Sequence, residues 1–457
     1  MKAQAMPGRT SVIPLIVLEE STMTIVRWIA RFCTAVALAV PWTVPAAPPN
    51  IVLILADDLG YECLGANGSI FYKTPRLDAM AAEGMRFTHC YSQPLCTPSR
   101  NQIMTGKYNF RNYTAFRFLN PKERTFAHAL KEAGYKTAIA GKWQLGFDSS
   151  LPRHFGFDEY CLWQLSREAR DGERHANPLI EQNGNFLPRD SEAYGPDVVS
   201  NFAMDFITRN KDVPFFLYYP MILPHAPHVP TPDSPEWAGD RSQKDDKHFP
   251  EMVTYMDKLV GRLADHLITL GLSENTLVLF TGDNGTNRDI VSPFEGRMIQ
   301  GGKGSLSDGG THVPMIAWWP GTIVPGMVHE GLVGFEDFFP TLVAAAGATS
   351  GDSPLDGRSF LPLLKGQPCA PKPWLYSHYD PRWGENNERR GRTVRTVDYK
   401  LYGDGRFYYL PGDPDESKPL DAALLAPETA DVRRMLQSVL DEMEKQGSVM
   451  SQDGAPG

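Results

Sequence analysis

Two short acidic turns, Asp57-Asp58 and Asp283-Asn284, each close an apolar run, and neighbouring carboxylates at a strand end repel unless a cation lies between them. Asp and Asn offer oxygen donors, and no Cys/His cluster stands nearby, which favours Ca²⁺ or Mg²⁺ over Zn²⁺. Either turn alone reads equally well as a helix cap, since both residue types are favoured there; the two together point to a metal. Between them lies Cys96-Thr97-Pro98-Ser99-Arg100, trailed by Thr105-Gly106. Pro98 suits the first turn of a helix, which puts Cys96 at an N-terminus whose peptide dipoles favour an anion. Such a cysteine is either reactive or an ordinary core residue ahead of a helix. Lys142, His228 and Lys303 add basic groups, each of which taken singly is best read as solvated or satisfied by backbone, and His225 competes with His228 for any catalytic role.

The elements that must carry these residues alternate. Residues 50–56 form a continuous apolar, β-branched run that reads as a strand buried on both faces. Helices are expected over residues 75–84, 125–134, 197–209 and 251–270, and strands at 85–87, 136–140, 215–219 and 276–280. This pattern predicts an α/β fold with a mostly parallel, doubly wound sheet and functional residues at the carboxyl ends of its strands. A turn-rich stretch around 347–373 marks a boundary. Beyond it, residues 392–402 and 406–410 read as short exposed strands and 427–446 as a helix, hence a smaller C-terminal antiparallel sheet capped by a helix. The division expected is 1–46 as extension and signal peptide, 47–365 as the catalytic domain and 366–457 as the C-terminal subdomain.

The 457 residues are 42% hydrophobic and 22% charged, which excludes wholesale disorder and a polytopic membrane protein. With 45 Lys+Arg against 54 Asp+Glu the chain carries −9, so net charge gives nucleic acid no support and any anion site must be a local basic pocket. From Met23 the chain shows a basic stretch, an apolar run at 32–40 and small residues Val44 and Ala46, the pattern of a secretory signal cut after Ala46. A periplasmic or secreted protein without a stable membrane anchor is expected, with translation from Met23 rather than Met1. Five of the six cysteines then remain, an odd number, and Cys96 is the candidate for an unpaired one.

The segment Cys96-Thr97-Pro98-Ser99-Arg100 with Thr105-Gly106 resembles the signature of the formylglycine-dependent (type I) sulfatases of the alkaline phosphatase superfamily, arylsulfatases among them. The resemblance spans Asn50 to about Tyr409. It implies an alkaline-phosphatase-like sheet, Cys96 converted to formylglycine by a formylglycine-generating enzyme, and Ca²⁺, with Mg²⁺ as the alternative, held by Asp57, Asp58, Asp283, Asn284 and modified Cys96. It further implies that Arg100, Lys142 and Lys303 neutralise the sulfate of an aryl or carbohydrate ester. One hydroxyl of the hydrated aldehyde attacks sulfur, His228 or Lys303 protonates the leaving alcohol, and loss of the second hydroxyl's proton expels sulfate. Gln144, within Gly141-Lys142-Trp143-Gln144-Leu145-Gly146, stands where the family usually has His, among the substrate contacts Lys142, His228 and Lys303. Two alternatives accompany this reading: a phosphonate or phosphodiester hydrolase of the same superfamily, and a non-catalytic binder of sulfated glycans kept open by Gln144. The arginines at 389, 390, 392 and 395 read as a solvated edge.

Overall fold

The computed structural model describes residues 48–166, 174–382 and 389–453. The expected signal segment lies outside the described residues. The strands are β1 (Asn50–Ala56), β2 (Met85–Tyr91), β3 (Lys136–Lys142), β4 (Glu159–Trp163), β5 (Ile180–Gln182), β6 (Asn185–Phe186), β7 (Phe215–Pro220), β8 (Thr276–Gly282), β9 (Val291–Phe294), β10 (Arg297–Gln300), β11 (His312–Trp318), β12 (Met327–Gly334), β13 (Leu375–Tyr379), β14 (Gly391–Arg395), β15 (Tyr399–Tyr402) and β16 (Phe407–Tyr409).

Ten of them make one sheet in the order β12-β2-β11-β8-β1-β7-β3-β4-β5-β6. Its centre, β8-β1-β7-β3-β4, is parallel. Antiparallel pairing enters through β11 and through β5 and β6. β1 is apolar throughout because both its faces are covered. Val52, Ile54 and Ala56 join the core under the helices Gly195–Arg209 and Phe249–Thr269, while Ile51, Leu53 and Leu55 join the one under Phe126–Glu132 and Phe338–Ala345. Each such fully buried Val, Leu or Ile side chain contributes roughly 1.5–3 kcal/mol. The sheet is therefore doubly wound, as the alternation predicted.

The C-terminal sheet runs β13-β14-β15-β16, all antiparallel, with the helix Pro427–Asp453 against it. Two expectations are corrected here. The single strand expected at 392–402 is broken by a turn in which the Thr396 N–H donates to the Tyr399 carbonyl at 2.8 Å. Nor are these strands exposed: Val394 and Leu401 pack on Leu436 and Leu440 of the helix, while Tyr402 and Tyr408 pack on Leu95 and Leu306 of the large unit. Arg395 is likewise buried, paired with Asp308 at 2.7 Å, and is no part of a solvated edge.

Candidate active site

Three strands of the parallel centre, the neighbours β8 and β1 and, beyond β7, β3, deliver the acidic and basic groups to one end of the sheet. β1 ends at Asp57-Asp58 and β8 at Asp283, and the Asp283 N–H donates to the Ala56 carbonyl at 2.8 Å, so the two turns lie side by side. Asp58 takes a left-handed backbone, φ 66°, and its N–H donates to Asp283 Oδ1 at 3.0 Å. β3 brings Lys142. Gly141, at φ 126°, is needed there because a Cβ would stand 1.9 Å from the Pro220 carbonyl oxygen of β7; only glycine lets the strands close at the point where Lys142 turns inward.

Cys96 opens the helix Cys96–Thr105, every residue of which is buried. The signature residues hold that helix in place. Ser99 Oγ donates to the Gln93 carbonyl and accepts from the Gln93 N–H, both at 3.0 Å, which locks the loop before Cys96. Thr105 Oγ1 donates to the Asn101 carbonyl and accepts from Asn112 Nδ2 at 2.7 Å. Gly106 ends the helix at φ 67° with Leu355 and Phe339 pressed against it.

The side chains converge as ion pairs. Lys142 Nζ donates to both oxygens of Asp57 at 2.8 Å. Arg100 donates to Asp283 Oδ2 at 2.9 Å and to the Lys142 carbonyl at 3.1 Å. Lys303 Nζ lies 2.5 Å from Asp58 Oδ2, and Asn284 Nδ2 donates to Asp58 Oδ1 at 2.8 Å. Burial works against the Asp57 charge, yet Lys142, His225 and Arg100 hold its carboxyl well below the usual range. Burial and the neighbouring Asp57 push Asp283 up to about 7. Lys303 is pushed up to about 12, because Asp58, Cys96 and Asp57 outweigh its desolvation. Cys96 thus sits within electrostatic reach of Lys303, and of Arg100 as well.

Among the described residues several buried polar atoms here have no hydrogen-bond partner: Asn284 Oδ1, Gln144 Oε1, Arg100 Nε and His228 Nε2. An unsatisfied buried group costs roughly 1–3 kcal/mol, so these four atoms are the donors and acceptors of this region that a bound group would satisfy. The donor set fits a hard divalent cation: three carboxylates, plus an amide oxygen left without a partner.

Of the residues singled out in the sequence, Asp57, Asp58, Arg100, Lys142, Asp283, Asn284 and Lys303 are in mutual contact. His228 is not among these contacts; its Nδ1 pairs with Asp246 at 2.7 Å and its ring meets Phe249 edge-on. His225 takes the nearer place, with Nε2 at 3.0 Å from Lys303 Nζ and 3.6 Å from Asp58 Oδ2. Asp57, Asp58 and His225 indeed offer ligand atoms within 4.8 Å of one another. Gln144 is buried at φ 56°. Sequence reasoning missed Arg174, which stacks on Trp163, donates to the Ala226 carbonyl at 2.7 Å and lowers both Asp57 and His225. No spacing signal marks it, since it reaches the site from a loop. Cys63, Cys90, Cys96 and Cys161 are buried and Cys369 exposed, all as free thiols.

Known proteins give the same class. A family model described as Sulfatase matches residues 49–348, and one described as N-sulphoglucosamine sulphohydrolase, C-terminal, matches 303–446. Human arylsulfatase A is 36% identical over 397 residues, 78% of this chain and 75% of its own length. Mouse N-acetylgalactosamine-6-sulfatase is 36% identical over 358 residues, 70% of this chain and 67% of its own. The structure of PsFucS1 sulfatase from Pseudoalteromonas sp. superposes with a TM-score of 0.71 at 23% identity, covering 97% of this chain and 96% of that one, a likeness of fold. The chain belongs to the sulfatase family, within the alkaline phosphatase superfamily. It is a sulfuric ester hydrolase.

Proposed function

We propose that this chain hydrolyses sulfate monoesters of aryl or carbohydrate alcohols, with Cys96 as formylglycine in the role of nucleophile and with Ca²⁺, or Mg²⁺ in its place, held by Asp57, Asp58, Asp283, Asn284 and the modified Cys96. The observation that carries the reading is the exact charge pairing of three buried carboxylates with Lys142, Arg100 and Lys303 beside the N-terminus of the Cys96 helix. A bound divalent cation supplies Lewis acidity and an acidified nucleophile. Lys142, Arg100 and Lys303, paired here with Asp57, Asp283 and Asp58, would turn to the oxygens of a sulfate where those carboxylates held a cation, and an acidic chain can hold such an anion only locally. Lys303, already hydrogen-bonded to His225, is placed to give a proton to the leaving oxygen, and His225 to orient it. Gln144 Oε1 and Arg100 Nε, unpartnered among the described residues, are available to bound oxygen and nitrogen groups.

We also read the protein as exported, with its mature chain beginning at Ala47, and as dependent on a formylglycine-generating enzyme. Among the described residues no helix is long and apolar enough to cross a membrane. The test is production with and without that enzyme, mass analysis of the peptide spanning Cys96, and rates with matched aryl sulfate and aryl phosphodiester substrates. Sulfate release that rises with the aldehyde fraction and vanishes in Cys96→Ala is expected. Faster phosphodiester hydrolysis would move the chain to the phosphonate and phosphodiester branch.

A further inference from the structure

One residue beyond Lys303, two guanidinium groups meet over the backbone. The Gly304 N–H donates to the Pro94 carbonyl at 2.7 Å, which ties the Lys303 loop to the loop that leads into Cys96. The point a Gly304 Cβ would occupy has Arg389 Nη1 at 3.5 Å, Arg288 Nη2 at 3.7 Å and Leu95 Cδ2 at 3.7 Å. Arg288 Nε donates to the carbonyl of Lys303 itself at 2.5 Å. Both arginines line a cavity of about 600 Å³ between this loop and the C-terminal sheet.

Their neighbours in that cavity are balanced and they are not. Arg390 pairs with Asp380 at 2.8 Å, Arg392 with Glu444 at 3.0 Å and Arg406 with Asp404 at 2.8 Å. The remaining acids of the wall are also taken, Glu416 by Lys400 and Tyr402, and Asp415 by Arg297. Among the described residues neither Arg288 nor Arg389 has a carboxylate partner. Arg288 is half-buried and Arg389 exposed, and burial, then Arg389, holds the Arg288 pKa below its ordinary value. Two like charges brought together in a cavity, with glycine beneath them leaving the space between open, are the arrangement that an oxyanion resolves by accepting from both. The Arg288 hydrogen bond to the Lys303 carbonyl and the Gly304 hydrogen bond to the Pro94 carbonyl set the pair beside the loop that carries Lys303 and the loop that leads into Cys96.

We propose that Arg288 and Arg389 form a second anion subsite, and that the substrate is a sulfated sugar carrying another acidic group, a sulfate or a carboxylate, beside the ester that is cleaved. The inference rests on the sulfate-ester reading of the Cys96 site and narrows it from sulfate esters in general to polyanionic ones.

The test compares formylglycine-bearing wild type, Arg389→Ala and Arg288→Gln on an aryl sulfate and on a panel of matched sugars with one sulfate, two sulfates, or one sulfate and one uronic carboxylate. Wild type is expected to favour at least one dianionic sugar over its monosulfated match by tenfold or more in kcat/KM, mostly through KM. Arg389→Ala is expected to shrink that ratio at least tenfold, and added salt to shrink it in wild type. The disulfated and uronate arms tell which oxyanion the subsite takes. Arg288→Gln keeps a donor toward the Lys303 carbonyl and guards against loop disturbance. A wild type that turns over aryl sulfate yet shows no dianionic preference, or a preference that survives both substitutions, overturns the subsite alone. A wild type that cleaves nothing in either set overturns the sulfate-ester reading and the subsite with it.

Discussion

Lys142 Nζ sits 2.8 Å from each carboxylate oxygen of Asp57, with both side chains almost wholly shielded from water. Breaking such a buried pair costs several kcal/mol if one charge is left alone, so on the proposed reading a cation held by Asp57 would require a new partner for Lys142, and an oxygen of the sulfate would be that partner.

The same pairing predicts that the protein survives metal removal. Lys142, Arg100 and Lys303 already neutralise Asp57, Asp283 and Asp58. Chelation is therefore expected to abolish turnover while leaving far-ultraviolet circular dichroism unchanged and lowering Tm by only a few degrees, the scale of roughly 2.7 kcal/mol for a ligand present at 100 times its Kd. Restoring Ca²⁺ or Mg²⁺ returns activity. Global unfolding on chelation would mean the metal holds the fold together.

The two histidines of the Pro224-to-His228 segment are expected to differ. His225→Gln removes the acceptor of the Lys303 hydrogen bond and should lower kcat by about 10²- to 10⁴-fold, the range of a positioned acid–base group. His228→Gln, which loses the Asp246 pair, should change kcat by less than tenfold. The reverse order of severity would restore the role that the family resemblance assigns to His228.

Gln144 can hydrogen-bond a hydroxyl but cannot take its proton near neutral pH. Correctly modified enzyme is therefore expected to release phenol from an aryl sulfate in an initial burst, followed by slower steady release, in rapid-mixing experiments. Gln144→His should shorten the burst and raise the steady rate. A burst of one equivalent with nothing after it would show that sulfate expulsion has no base at all.

Glu336 gives a pH dependence away from the metal cluster. It is fully buried, accepts from Gln102 Nε2 at 2.9 Å on the Cys96 helix and pairs with Lys372. Burial, with Asp337 adding to it and Lys372 opposing, pushes its carboxyl from 4.5 up to about 7. A raised acid is more easily kept protonated in the folded state, so its stabilising contribution is whole below about pH 4.5 and is lost as pH rises through 7. Glu336→Gln deletes that slope. Urea midpoints at pH 5 and 8 should converge in the variant relative to wild type; parallel profiles would contradict the shift.

Much of this was legible in the residues themselves. The β1 run could be read because a strand covered on both faces has no polar alternation to hide it, and its acidic end marked the site. Lys142, Arg100 and Lys303 carried no signal of their own and were placed by resemblance. The resemblance favoured His228 over His225, but both sit in one loop and only the path of that loop decides which ring reaches Lys303, and it is His225. Arg288 and Arg389 were opaque for a related reason: about a hundred residues apart, they meet through the docking of the C-terminal sheet, and Arg389, exposed beside Arg390, reads in sequence as part of an ordinary basic edge.

That docking, through Leu95 against Tyr379, Tyr402 and Tyr408, seals the approach to a helix with no exposed residue. On the proposed reading, an enzyme that converts Cys96 in its own cleft would need the chain still open, so maturation would be a race against folding: molecules that close first would keep the thiol, and adding the modifying enzyme to finished protein should rescue none of them, whereas supplying it during synthesis should set the active fraction.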